Sequence, residues 1–173
     1  MQKKLMYLEI AGILFIVIMS VFMQNLLDLS GHTLIGVMFG SVNDSIWEIE
    51  KTLLFPYLLW AGIELLCIKI PFRKFIVAKA VSLWFFCLSY SAICLLYSLT
   101  GAQTHFLPEF TAALICCTLA FFISFRLTVG SKKCEVLFYP AFFMLLLFVV
   151  LYCSLTPFPM HNYLFMDRTT GLY

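Results

Sequence analysis

Charge is scarce in this sequence: Asp, Glu, Lys and Arg make up 12% of 173 residues, against 63% hydrophobic residues. A soluble domain of this size has too high a ratio of surface to volume to hide so much apolar side chain. Alternating segments of about 10 residues, the mark of a transmembrane barrel, are absent. So are a CxxC pair, an HExxH or HxxxH spacing, a phosphate-cradling glycine loop and a nucleophile elbow. The net charge of +2 is too small to suggest a nucleic-acid partner. The seven cysteines are scattered, mostly within apolar runs, and are read as small buried hydrophobes.

What is present is a series of apolar runs of about 20 residues, each long enough to cross about 30 Å of hydrocarbon. Mean hydropathy is +1.01. The expected fold is all-α: a polytopic membrane bundle of five spans, forming a single integral membrane domain over residues 1–173. The spans are Leu5–Leu27, Thr52–Ile70, Phe75–Leu99, about Leu107–Thr128, and Val136–Leu155. The first is expected to be retained, because Met23-Gln24-Asn25 is a poor cleavage site and the run is too long for a secretory signal. Pro71 closes the second span, and Gly130-Ser131 separates the fourth from the fifth.

The few charges are sorted. Lys3, Lys4, Lys69, Arg73, Lys74, Lys79, Arg126, Lys132 and Lys133 lie on alternate gaps, leaving only Lys51 and Arg168 on the others. The positive-inside rule then gives N-terminus in and C-terminus out. Six of nine carboxylates and all three histidines fall on the outer side. The first outer connection holds a short apolar piece, His32 to Gly40, expected to lie in the interface or to re-enter under protein cover.

The densest polar string is Gly40-Ser41-Val42-Asn43-Asp44-Ser45-Ile46-Trp47-Glu48. Ser41 is expected to cap a helix with Asp44 completing a box-like pattern, and Trp47 to anchor at the interface. Asp44 and Glu48 would then stack at i,i+4, where two carboxylates can bind a cation or share a proton. Asn43, Asp44, Trp47 and Glu48 are therefore candidate ligand-binding residues, with His105, His161 and Asp167 from other outer segments. His32, His105 and His161 are the only imidazoles available to ligate zinc or act as a base, and any metal site would need tertiary convergence. The Pro-broken aromatic tail, carrying His161, Asp167 and Arg168, is expected to dock over the outer mouth rather than hang free.

Glu9 and Glu64 lie inside apolar runs, each five residues from a lysine of the inner boundary, Lys4 and Lys69. That places both about 7 Å deep at 1.5 Å per residue, with Lys79 entering at a comparable depth. An unpaired ionisable group there costs on the order of 2–3 kcal/mol. A structural cluster tying the first three spans together is the favoured reading, and the inner part of a pathway is the alternative. Pro56, one turn into the second span, is expected to kink it.

The string from Gly36 to Glu48, followed by Phe55-Pro56, resembles the signature S-V-N-[ED]-S-[VI]-W-E-H of a family of small uncharacterised bacterial multi-pass membrane proteins, found mainly in Gram-positive anaerobes. The resemblance extends to Glu9, Gly12, Ser30-Gly31, Ala78-Lys79 and a tail His161…Phe165-x-Asp167…Thr170-Gly171-x-Tyr173. It implies the multi-pass fold in a bacterial plasma membrane, and no activity. Ile49 stands where the signature ends in histidine, and Gln24 where a histidine is common, so a family histidine site would be incomplete here.

Two functional classes follow. The first is binding or transport of a small polar or cationic ligand through an outward-facing polar site in the lipid bilayer. The second is a membrane-embedded hydrolase at the outer leaflet, with or without a metal, using His105 or His161 as base. A structural or accessory membrane subunit is the third reading. No cofactor is indicated.

Overall fold

The computed structural model describes residues 2–99, 106–130, 132–168 and 170–172. Every regular element among them is helical: α1 (Gln2–Gln24), α2 (Leu26–Leu29), α3 (Leu34–Phe39), α4 (Ile46–Cys67), α5 (Phe72–Leu99), α6 (Phe106–Val129), a 3-10 segment (Lys132–Leu137) and α7 (Phe138–Leu155). Four helices are long and apolar enough to cross a membrane, at Gln2–Gln24, Phe72–Leu99, Leu107–Val129 and Glu135–Leu155.

The exception among the long helices is α4, with 22 residues that include Glu48, Glu50, Lys51 and Glu64. Its position explains its composition. The helix packs against α1 and α5, with α3 near its start, and its first two turns and much of its length are buried. Its charged side chains turn to the inward face, where they find partners inside the bundle, while Leu59, Ile63 and Leu66 are exposed on the other face. By contrast, α7 lies against α5 and exposes Tyr139, Phe143, Leu146 and Val150 on its outer side.

Helices α1, α4, α5 and α6 close a ring, each touching the next and α6 returning to α1. The core runs along its axis through Ile16, Leu54, Tyr57, Leu83, Phe86, Ala120 and Phe121, and continues to Phe148 and Tyr152 of α7. Close approach of α1 to its neighbours depends on Gly12. A Cβ there would meet the Trp60 ring at 2.5 Å and Phe121 at 2.6 Å. The indole cannot yield freely, because its N–H donates to the Leu8 carbonyl at 3.0 Å. Gly12→Ala is therefore expected to destabilise the bundle by about 1–3 kcal/mol, as overpacking does, measured by thermal unfolding in detergent.

Contacts gather the two charge classes at opposite ends. Lys4 at the start of α1 donates to the Cys67 carbonyl at the end of α4, at 2.9 Å. Lys74 at the start of α5 donates to the Gly130 carbonyl beyond α6. At the other end, the starts of α4 and α6 meet the tail after α7. One end is therefore lysine-rich and the other acidic.

Several boundaries differ from the sequence expectation. The first apolar run does not continue to Leu27, because α1 stops at Gln24 and the Asn25 side chain bonds back to the Val21 carbonyl at 2.8 Å. The second helix starts six residues before Thr52 and ends at Cys67 rather than Ile70. The short apolar piece forms α3, docked against α2, where Gly36 lets its backbone lie on Leu27. The Val37 carbonyl near the end of α3 receives the Lys51 ammonium at 3.0 Å, so protein covers this backbone.

Candidate functional site

The polar string is not one helix start at Ser41. Its chain runs through bends at 42–44 to Ser45, whose Oγ accepts the Glu48 N–H at 3.3 Å and so caps α4. Two local bonds hold the preceding loop: Ser41 Oγ donates to the Asn43 carbonyl at 2.8 Å, and Asn43 Oδ1 accepts from Ser45 N–H at 3.1 Å. Such Asn turns compete with helix. Asp44 therefore sits in the loop, exposed, and does not stack with Glu48 on a helix face.

Glu48 instead turns inward. It accepts from the Val42 N–H at 3.0 Å and from Thr156 at 3.0 Å, and pairs with Lys51 at 2.7 Å. The Lys51 ammonium is completed by Thr156 and the Val37 carbonyl, each at 3.0 Å. A cavity of about 130 Å³ opens beside this cluster, lined by Val42, Asn43, Ser45, Glu48, Thr156, Pro159 and Phe165.

The tail docks as a strap. The Trp47 N–H donates to the Leu164 carbonyl at 3.1 Å. The Trp47 ring stacks on Tyr152, centroids 4.0 Å apart, and lies 4.7 Å from Phe165. Arg168 donates to the Asp44 carbonyl at 2.7 Å and grips the Glu109 carboxylate with both terminal nitrogens. Asp167 closes the tail's last turn, accepting from Thr170 at 2.9 Å.

Beside that strap lies a cavity of about 480 Å³, walled by α1, the 41–44 loop, α4, α5, α6 and Arg168. Its polar groups are Ser20, Gln24, Ser41, Asn43, Asp44, Tyr90, Glu109 and Arg168, set among Val21, Leu53, Phe110 and Ala113. Asn43 and Asp44 thus come together with Gln24, the position at which the family resemblance leads one to expect histidine. Two carboxylates face one guanidinium there, which leaves an acid excess beside two aromatic rings.

His32 and His161 do not line this cavity. His32 is exposed at a positive φ of 57°, 3.7 Å from Asp28. His161 is exposed on the tail, and His105 lies outside the described residues. No group of three or more His, Cys, Asp or Glu able to hold a metal occurs among the described residues.

At the lysine-rich end, Glu9, Glu64 and Lys79 meet. Lys79 pairs with Glu9 at 3.0 Å and with Glu64, and Ser124 donates to the other Glu9 oxygen at 2.8 Å. The ammonium lies between the rings of Tyr57, Phe75 and Phe121 at 5.1–5.4 Å. Lys4 and Lys69 are not the partners of these carboxylates; Lys4 goes to a backbone carbonyl. Sequence reasoning missed Glu50, buried in α4 with Ser91 donating to it at 2.7 Å. Its signal was present, since 50, 57 and 64 are spaced by seven.

With this geometry in place, comparison with known proteins is informative in one respect. A family of unknown function, DUF6512, matches residues 1–173. The chain belongs to that family. No curated protein and no solved structure matches it. The DUF6512 assignment covers both polar centres, at the acidic end and at the lysine-rich end, and leaves their chemistry to be argued from the residues.

Proposed function

We propose that this chain is a five-span protein of a bacterial plasma membrane, from a Gram-positive lineage, that binds a small polar or cationic ligand at its outward-facing end, for uptake or passage. The fifth span in this reading is α4, whose charges face the bundle while Leu59, Ile63 and Leu66 face outward. N-terminus-in orientation follows from the lysine-rich end being cytoplasmic.

The observation that carries the ligand reading is the 480 Å³ cavity, where Asp44 and Glu109 stand beside Tyr90 and Phe110. A concave site with few polar groups on an apolar wall suits a small molecule. Carboxylates with aromatic faces favour a cation.

The test is calorimetric titration of purified full-length protein with tetramethylammonium, methylguanidinium and neutral acetamide. The cations are expected to bind at millimolar concentration or tighter, and to raise the unfolding temperature as mass action requires. Asp44→Asn should weaken the cations by about tenfold, or ~1.4 kcal/mol, and leave acetamide unchanged. Equal or absent binding of all three probes would sink the reading.

A further inference from the structure

We propose that Glu50 and Glu64 are proton-binding sites in series, and that the α4–α5 contact joining them carries protons between the two ends of the bundle. This inference is independent of what occupies the outer cavity.

Glu50, Tyr57 and Glu64 are seven residues apart on α4, so each step turns the helix by only about 20° and advances about 10 Å. They form one stripe. Antiparallel α5 supplies one polar partner to each: Ser91 to Glu50 at 2.7 Å, Ser82 to Tyr57 at 2.5 Å, and Lys79 to Glu64. The stripe is fully enclosed, and Glu50, Tyr57, Glu64, Lys79 and Ser82 are each at most 1% exposed.

Each carboxyl has a weakly satisfied oxygen. Glu64 Oε1 and Glu50 Oε1 are buried and accept no well-formed hydrogen bond among the described residues, with only the Trp60 indole beside the first and the Tyr152 hydroxyl and Cys87 thiol beside the second. A bare carboxylate oxygen in an apolar interior is costly, and a bound proton removes the cost by neutralising the group. Charge balance points the same way at both sites. Around Glu64 stand Glu9 from α1, Lys79 from α5, Tyr57 from α4 itself and Ser124 from α6. Two carboxylates share a single ammonium, so one excess proton makes the cluster neutral. Around Glu50 stand Ser91 and Cys87 from α5 and Tyr152 from α7, none of them a cation. The adjacent Lys51 is engaged by Glu48.

A cavity lies near each end of the stripe. A cavity of about 130 Å³ at the lysine-rich end is lined by Leu5, Lys74, Thr128 and Glu135. Leu5 and Thr128 lie one helical turn from Glu9 and Ser124, and the Thr128 hydroxyl there is buried and unpartnered. At the acidic end, the flanking residues Glu48 and Ile49 line the 130 and 480 Å³ cavities already described. Phe86, against Tyr57 at 6.4 Å, stands between the Tyr57 and Glu50 levels. It is the place where a passing proton would wait for rearrangement.

The full-length protein in liposomes containing a trapped pH dye, driven by a potassium diffusion potential, gives the readout. Wild type is expected to move protons at least about tenfold faster than empty liposomes, and Glu50→Gln or Glu64→Gln to abolish most of that excess. Gln has the shape of the protonated acid and so preserves the fold. Tyr57→Phe keeps the ring and should slow the flux. Infrared spectra of the same proteins at neutral pH supply a second readout, independent of flux. A protonated-carboxyl band lost in each Gln variant and kept in Tyr57→Phe supports the sites. Absence of that band in wild type, or flux unchanged by the three substitutions, would overturn the proposal.

Discussion

Replacing Lys79 by alanine is expected to cost the bundle about 3–5 kcal/mol, the penalty of stripping one partner from a buried ionic cluster. The ammonium is the shared counterion of Glu9 and Glu64, and all three side chains are almost wholly enclosed. It also fills the space between the Tyr57, Phe75 and Phe121 rings, so its loss removes cation–π attraction and leaves a void. Helices α1, α4, α5 and α6 all contribute to this knot through Glu9, Glu64, Lys79 and Ser124, so the loss falls on the whole ring. Unfolding in mild detergent, or folded yield where Lys79→Ala does not survive purification, measures it. The triple variant Glu9→Gln, Glu64→Gln, Lys79→Met removes every charge at once and should recover most of the loss, because a neutral cluster has no uncompensated ion to bury. A Lys79→Ala protein within about 1 kcal/mol of wild type would mean that the cluster is solvated.

That cluster also marks how far the sequence could be read. Depth was legible: counting five residues from Lys4 to Glu9 and from Lys69 to Glu64 puts both carboxylates on one level, where Lys79 meets them. Rotation about each helix axis was not, because it is set by packing. Both carboxylates turn to Lys79. The same limit explains the acidic end. Glu109 and Arg168 are 59 residues apart, and nothing local announces their pairing. Yet Arg168 and Lys51 stood out as the only cations on the far side, and each is matched to an acid there.

The helix start at Ser45 rather than Ser41 was a contest between two similar serines. The Asn43 side chain decided it by holding the backbone in a turn. The consequence reaches the site: Asp44 joins the cavity wall with Asn43, while Glu48 is withdrawn into the Lys51 and Thr156 cluster. The histidines were the weakest guide. Their outer placement follows from charge sorting, but no local spacing linked them, and His32 and His161 end on the surface.

Trp47→Ala is expected to destabilise the protein by about 3–5 kcal/mol, as removal of a large aromatic side chain does, and to free the C-terminal strap. The indole lies between Tyr152 of α7 and Phe165 of the tail, within 9° of parallel to the first. Phe165 is buried where it rests on that ring. Alanine at 47 removes the ring on which Phe165 rests, and with it much of the packing that holds the ordered segment against its conformational entropy. Limited proteolysis of a C-terminal tag should show the strap cut many times faster in Trp47→Ala, and amide exchange at residue 47 should rise with it. Trp47→Phe separates two roles for the ring. Phenylalanine keeps the stack and loses the indole N–H, which is buried without a partner, so it should stay within about 1.5 kcal/mol of wild type. If Trp47 were only an interfacial anchor, neither substitution would change cleavage of the tail. Because Arg168 closes one side of the 480 Å³ cavity, a freed strap should also weaken the cation probes, linking packing at Trp47 to occupancy of a site that Trp47 does not line.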